Sequence, residues 1–246
     1  RQRQMCIRDS LYRVAILQSR SASDFLDHAV IAVVGSAIVL AACGSSSVDA
    51  LRSAGGPGRW VALVALAGLA SCRIGVAVRQ GSGRLSPLPD VRPYVVAALL
   101  LAVMAVSATW SVAGTLTVKR TVSFALVLAA AGALGVLAAL QPSFLARLLV
   151  AVPAAAVGVV VAGLVYLAVD PAGAIQPTSP ASVGRFRGIG ENPNTVPILC
   201  TVAIPIALSL CASGSWRRRG VAALGAIMLF GQIVFSGSRG AFLGGL

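Results

Sequence analysis

Charged residues are scarce in this sequence, and acidic ones scarcer still: 11% of its 246 residues are charged, with seven Asp or Glu against twenty Lys or Arg. So thin a polar supply excludes an ordinary soluble domain, because a chain with 57% apolar residues and a mean hydropathy of +0.89 would aggregate in water. Histidine occurs once, as His28 on a basic flank, and the five cysteines, Cys6, Cys43, Cys72, Cys200 and Cys211, have no metal-ligand spacing. No metal or other cofactor is therefore expected. Four of the cysteines fall in or near apolar runs, where a small thiol packs well. Long polar stretches are also missing, and no loop is large enough to make a soluble domain.

What the sequence has is apolar runs near the length that crosses the hydrocarbon core of a bilayer, roughly 20 residues at 1.5 Å each. Seven are read, at Ala29–Gly44, Trp60–Val78, Tyr94–Ala113, Thr121–Leu140, Leu148–Val169, Thr195–Ser213 and Val221–Ser236. An eighth starts near Gly240, and more of the protein is expected beyond Leu246. The expected fold class is all-α, a polytopic helical membrane protein. Residues 1–28 form an N-terminal cytoplasmic segment and 29–246 the transmembrane region. The first ten residues, "RQRQMCIRDS", read as flanking sequence rather than a native N-terminus.

A net charge of +13 raises the question of nucleic acid. The basic residues lie between the runs rather than in a patch interleaved with aromatics, so none is expected to bind. Membrane topology accounts for them instead, since cytoplasmic loops are enriched in Lys and Arg. With the N-terminus in the cytoplasm, twelve basic residues fall inside and seven outside, with Arg73 near the inner end of the second run counted on neither side; without the first ten residues the balance is nine to seven. The short basic loop Arg217-Arg218-Arg219 is the strongest local signal, and it places 170–194 and the surroundings of Arg239 on the external face. "LAACGSSS" at 40–47 resembles a bacterial lipoprotein signal with Cys43 as the lipidated residue, although such signals normally precede a soluble domain.

Three segments stand out on the expected external side: "TWS" at 109–111, "RFRGIGENPN" at 185–194 and "SGSRG" at 236–240. Asn192-Pro193 favours a turn, and Asn194 stands as N-cap to the run starting at Thr195. The N–H groups and dipole of such a helix start favour anions, and Arg185 and Arg187 add forked cationic donors just upstream. Ser238 repeats the arrangement with Arg239 beside it. Together these residues suit a phosphate. The plainer alternative is that the three arginines snorkel to headgroups and that Trp110 is an interfacial anchor. Asp170 and Glu191 lack the spacing of an acid/base pair and are expected to cap turns or pair with Arg185 or Arg187.

At these three segments the chain resembles the O-antigen ligase and O-antigen polymerase superfamily of bacterial membrane proteins. Trp110 and Ser111 match its tryptophan–serine pair, Arg185, Gly188, Asn192, Pro193 and Asn194 match an external R-x-x-G…N-P-N segment, and Ser238, Arg239 and Gly240 match an S-R-G. The resemblance covers roughly residues 95–246, and Glu191 and Arg187 depart from the common pattern. It implies transfer of a glycan from an undecaprenyl-diphosphate carrier to an acceptor sugar hydroxyl, on a glycan or glycolipid, at the outer face of the cytoplasmic membrane. It further implies that Arg185, Arg187 and Arg239 bind the diphosphate, with Asn194, Ser238 and Trp110 in support. The family's functional histidine lies in a later external loop, past Leu246, so this stretch alone is expected to be inactive. Two other readings stay open: a transporter or flippase for a lipid-linked or anionic substrate, and a noncatalytic membrane scaffold.

Overall fold

The computed structural model describes residues 24–79, 92–177, 184–213 and 215–244. The ten N-terminal residues, Cys6, residues 80–91 between the second and third runs, and the last residues of the eighth run lie outside them. Among the described residues the secondary structure is helical, with two isolated β-bridges and no strand. The helices are α1 (Asp24–Gly44), α2 (Asp49–Arg79), α3 (Arg92–Ser107), α4 (Gly114–Leu140), α5 (Pro142–Val169), α6 (Pro171–Ala174), α7 (Thr195–Ser213), α8 (Trp216–Ser236) and α9 (Arg239–Gly244).

Six of these, α1, α2, α4, α5, α7 and α8, are long and apolar enough to cross a membrane. The chain is thus an all-α membrane-spanning protein. Much of its Val, Leu and Ile surface is exposed, as suits helices whose solvent is hydrocarbon.

Several boundaries differ from those expected. The run Tyr94–Ala113 yields only the 16-residue α3. It stops because the hydroxyls of Ser107 and Thr109 donate back to the carbonyls of Met104 and Val106, both at 2.8 Å, drawing the backbone into a turn. The stretch 45–59, between the first two apolar runs, is helical from Asp49, where Asp49 pairs with Arg52 one turn on. Arg217, Arg218 and Arg219, expected in a loop, form the first turn of α8. His28 lies within α1 rather than before it, its Nδ1 2.6 Å from the Asp24 carbonyl. Between the runs ending at Leu140 and starting at Leu148 the connection is Gln141 alone, because Pro142 starts α5 at a position where its missing N–H costs nothing.

The chain forms two compact units, one of Arg1–Ala32 and Ala65–Phe144 and one of Val33–Val64 and Leu145–Leu246. In the first, α3 packs along α4, with Gly132 so close to Tyr94 that a Cβ there would lie 3.3 Å from the ring. Its main polar feature is an ion pair between Arg73 on α2 and Asp27 on α1. Nε donates to Oδ1 at 2.8 Å, and the side chains are 5% and 4% exposed. In the second unit α7 and α8 form a tight antiparallel hairpin against α5. Cys200, Ala203 and Ile204 of α7, Leu229 and Ile233 of α8, and Ala156, Val159 and Val160 of α5 make its core.

Removing one partner of a buried ion pair strands the other charge, at a cost of roughly 3–5 kcal/mol, whereas replacing both by apolar residues is far milder. Arg73→Met is therefore expected to lower the unfolding free energy in detergent by about 3 kcal/mol. The double variant Asp27→Leu, Arg73→Met should recover most of it, as equilibrium unfolding would measure.

Candidate functional site

Four of the residues expected to bind diphosphate or support it, Arg185, Arg187, Asn194 and Ser238, are gathered at the end of the second unit where α7 begins and α8 ends. Residues 175–177 and 184–194, between α6 and α7, form a strap there. Ile175 and Phe186 form an antiparallel bridge, in which the Gln176 amide donates to the Arg185 carbonyl at 2.8 Å and the Arg187 amide to the Ala174 carbonyl at 3.0 Å. The Phe186 amide donates in turn to the Phe235 carbonyl at 3.3 Å, tying the strap to the last turn of α8.

Arg185 is the centre of the arrangement. Its Nε donates to the Ser236 carbonyl at 2.6 Å, and its Nη2 donates to Asn194 Oδ1 at 2.9 Å. One guanidinium thus joins the C-terminal end of α8 to the residue that opens α7. A cation is well placed at helix C-terminal carbonyls, which carry the negative end of the dipole and lack partners within the helix. Arg187 is held in the same way, with Nε on the Gly173 carbonyl at 2.8 Å in the short helix α6. The remaining guanidinium N–H groups of Arg185 and Arg187 make no hydrogen bond among the described residues.

Local chain chemistry explains the strap's shape. Gly188 has φ +59°, a backbone favourable to glycine, and a Cβ there would lie 3.3 Å from the Cα of Gly163 on α5. Asn192 makes an Asx turn, its Oδ1 accepting from the Asn194 amide at 2.9 Å. The Asn194 carbonyl then accepts from Ile198 and begins α7, while its side chain turns to Arg185. Asn194 was expected to cap the helix with that side chain; here it orients a guanidinium instead. Gly237 ends α8 in the left-handed region at φ +59°. Ser238 follows, buried, with its carbonyl accepting from Phe242 in α9 at 2.9 Å. Arg239 is exposed and has no side-chain partner among the described residues.

Trp110 and Ser111 belong to the first unit. Trp110 is 69% exposed in the turn after α3, and the Ser111 and Thr117 hydroxyls lie 2.8 Å apart. The carboxylates are engaged elsewhere. Asp170 accepts from the Gly173 amide and the Tyr166 hydroxyl, and Glu191 lies 3.9 Å from Arg52 rather than pairing with Arg185 or Arg187. Among the described residues no three His, Cys, Asp or Glu come together as a metal site.

Sequence reasoning missed the turn between α1 and α2. Ser46 is fully buried and its Oγ donates to the Ile189 carbonyl at 2.6 Å, while the Ser45 carbonyl accepts from the Glu191 amide at 2.6 Å. The signal was present as three consecutive serines after Gly44, which also fit a lipoprotein pattern. Cys43 sits in the last turn of α1, where a Cβ on Gly55 would run into the backbone of Cys43 and Gly44.

Compared with protein-family models, curated proteins and solved structures, the chain gives no significant match.

Because the Arg185–Asn194 contact is charge-assisted but exposed, a double-mutant cycle with Arg185→Ala and Asn194→Ala should give a coupling of about 0.5–1 kcal/mol. Gly188→Ala meets both positive φ and the close approach of Gly163, and should destabilise by about 1–3 kcal/mol in the same unfolding measurement.

Proposed function

We propose that this chain is part of a membrane glycan transferase of the O-antigen ligase or polymerase type. The intact protein transfers a glycan from undecaprenyl diphosphate to an acceptor sugar hydroxyl at the external face of the cytoplasmic membrane. In this reading the N-terminus faces the cytoplasm and the Arg185 end of the second unit faces outward. One observation carries the proposal: the Arg185 guanidinium directly joins the segment 185–194 to the segment 236–240, two of the three segments on which the family resemblance rests.

The chemistry follows from the arrangement. As the bond between the anomeric carbon and the diphosphate oxygen breaks, negative charge grows on the departing diphosphate, while the acceptor oxygen bonds to carbon and gives up its proton. Forked cationic donors fixed before the reaction stabilise that charge without reorganising. Arg185 and Arg187 meet this need, since each is held through Nε and keeps guanidinium N–H groups with no hydrogen bond among the described residues. Arg239, free of side-chain partners among the described residues, supplies a third guanidinium two residues past Gly237. The structural roles of Arg185 and Arg187 and the ligand role of Arg239 are therefore separable.

In the intact protein, Arg239→Ala is expected to reduce glycan transfer by at least about 100-fold, the scale for removing a preorganised charge donor, with unfolding unchanged. Arg239→Lys should recover part of it, and Arg185→Ala should lose both transfer and stability. Transfer at the native rate with Arg239→Ala would overturn the assignment. Movement of the lipid-linked substrate across the membrane without a new glycosidic bond would favour a transporter.

A further inference from the structure

The short helix α6 is a single turn, and a single turn is stable only when its unpaired N–H and carbonyl groups find partners. At its start Pro171 supplies a backbone already set for a helix, and Asp170 caps it, Oδ1 accepting from the Gly173 amide at 2.9 Å. Asp170 is itself tied to the body of the second unit. The Tyr166 hydroxyl donates to its Oδ2 at 3.1 Å, and Tyr166 packs against the core formed by α5, α7 and α8. The fit is close, since a Cβ on Gly173 would run into both the Tyr166 hydroxyl and Asp170 Oδ2.

The far side of the same turn is taken up by one residue. Arg187 Nε donates to the Gly173 carbonyl at 2.8 Å and the Arg187 amide to the Ala174 carbonyl at 3.0 Å, so the turn fixes both the side chain and the backbone of Arg187. Gly173 therefore stands between two partners: its N–H is held by Asp170, and its carbonyl holds Arg187. Asp170 forms no ion pair with an arginine among the described residues, so what it passes on is position rather than charge. Arg185 depends on the turn less, because Ser236 and Asn194 hold its side chain from another direction.

We propose that Asp170, with Tyr166 behind it, is a positioning residue for the anion site, acting through Gly173 to hold the Arg187 guanidinium for the diphosphate, a role that rests on reading Arg187 as a diphosphate ligand. A donor whose Nε is fixed in advance loses less on binding than one that must first be ordered. Loosening α6 thus weakens the hold on the anion without removing any group that touches it.

The test is the binding of farnesyl diphosphate to the intact protein in detergent, followed by titration calorimetry, with farnesol as the control for the apolar tail. Asp170→Ala should raise the Kd about 10-fold, and Asp170→Asn, which keeps an oxygen for the Gly173 amide, should bring it back to within about 2-fold of the native value. In an Arg187→Ala background Asp170→Ala should have no further effect, because it acts through the side chain already removed. Tyr166→Phe, a milder change, should raise the Kd about 3-fold and decides the matter where Asp170→Ala fails to fold. Native affinity in the folded variants would overturn the proposal, whatever happens to their melting temperatures. So would an equal loss in the Arg187→Ala background, or no preference of the unmodified protein for the diphosphate over farnesol. Binding that follows the expected pattern without glycan transfer by the intact protein overturns the transferase reading and leaves Asp170 in its role.

Discussion

The hold of the Arg185 guanidinium on the Ser236 carbonyl and on Asn194 organises the second unit. A helix that ends near the hydrocarbon region leaves carbonyls with no partner in the next turn, and little water is at hand to take their place. Arg185 meets that need at the end of α8, and by reaching Asn194 it fixes where α7 begins. Once both helix ends are pinned by one side chain, residues 184–194 have little choice of path. Its backbone then adds a second tie, from the Phe186 amide to the Phe235 carbonyl.

The glycines follow from the same constraint. Drawn against α5 by these ties, the strap must pass at backbone contact distance, and Gly163 and Gly188 meet without side chains between them. On its other side, residues 189–191 are held by the α1–α2 turn through the buried hydroxyl of Ser46. The result is a polar segment whose hydrogen bonds are largely spent on its own position. Loops that bind ligands precisely need such support, because a donor that must first be immobilised loses much of its benefit on binding.

The membrane class was legible from composition, since runs of apolar residues near 20 long have few alternatives. Helix limits were less so. Hydropathy marks where a side chain prefers hydrocarbon, not where a backbone stops being helical, so α2 runs back to Asp49 and α8 takes in Arg217 to Arg219. At the candidate site, Arg185, Arg187, Asn194 and Ser238 come together as neighbours, but their contacts were not legible in the sequence. Asn194 fits the N-cap pattern by position, yet its side chain serves Arg185, because Asn192 two residues earlier already accepts from the Asn194 amide. The pairing of Arg73 with Asp27 was out of reach altogether: the residues are 46 apart, and only the packing of α1 against α2 within the first unit brings them together.

The sequence has nineteen arginines and one lysine, Lys119, a choice that topology alone does not require because either residue keeps a loop on the basic side. The contacts give a physical reason at three positions. Arg73, Arg185 and Arg187 each make their principal bond through Nε, to Asp27, Ser236 and Gly173 respectively. Nε lies on the inner side of the guanidinium, so a bond there leaves the outer N–H groups pointing onward in a fixed plane. A lysine ammonium has no such division: when its single nitrogen turns inward to a carbonyl, its charge goes with it. At Arg185 that difference lets one residue hold a helix end, orient Asn194 and still present charge beyond both. What lets Arg185 and Arg187 do this is a helix carbonyl within reach of Nε.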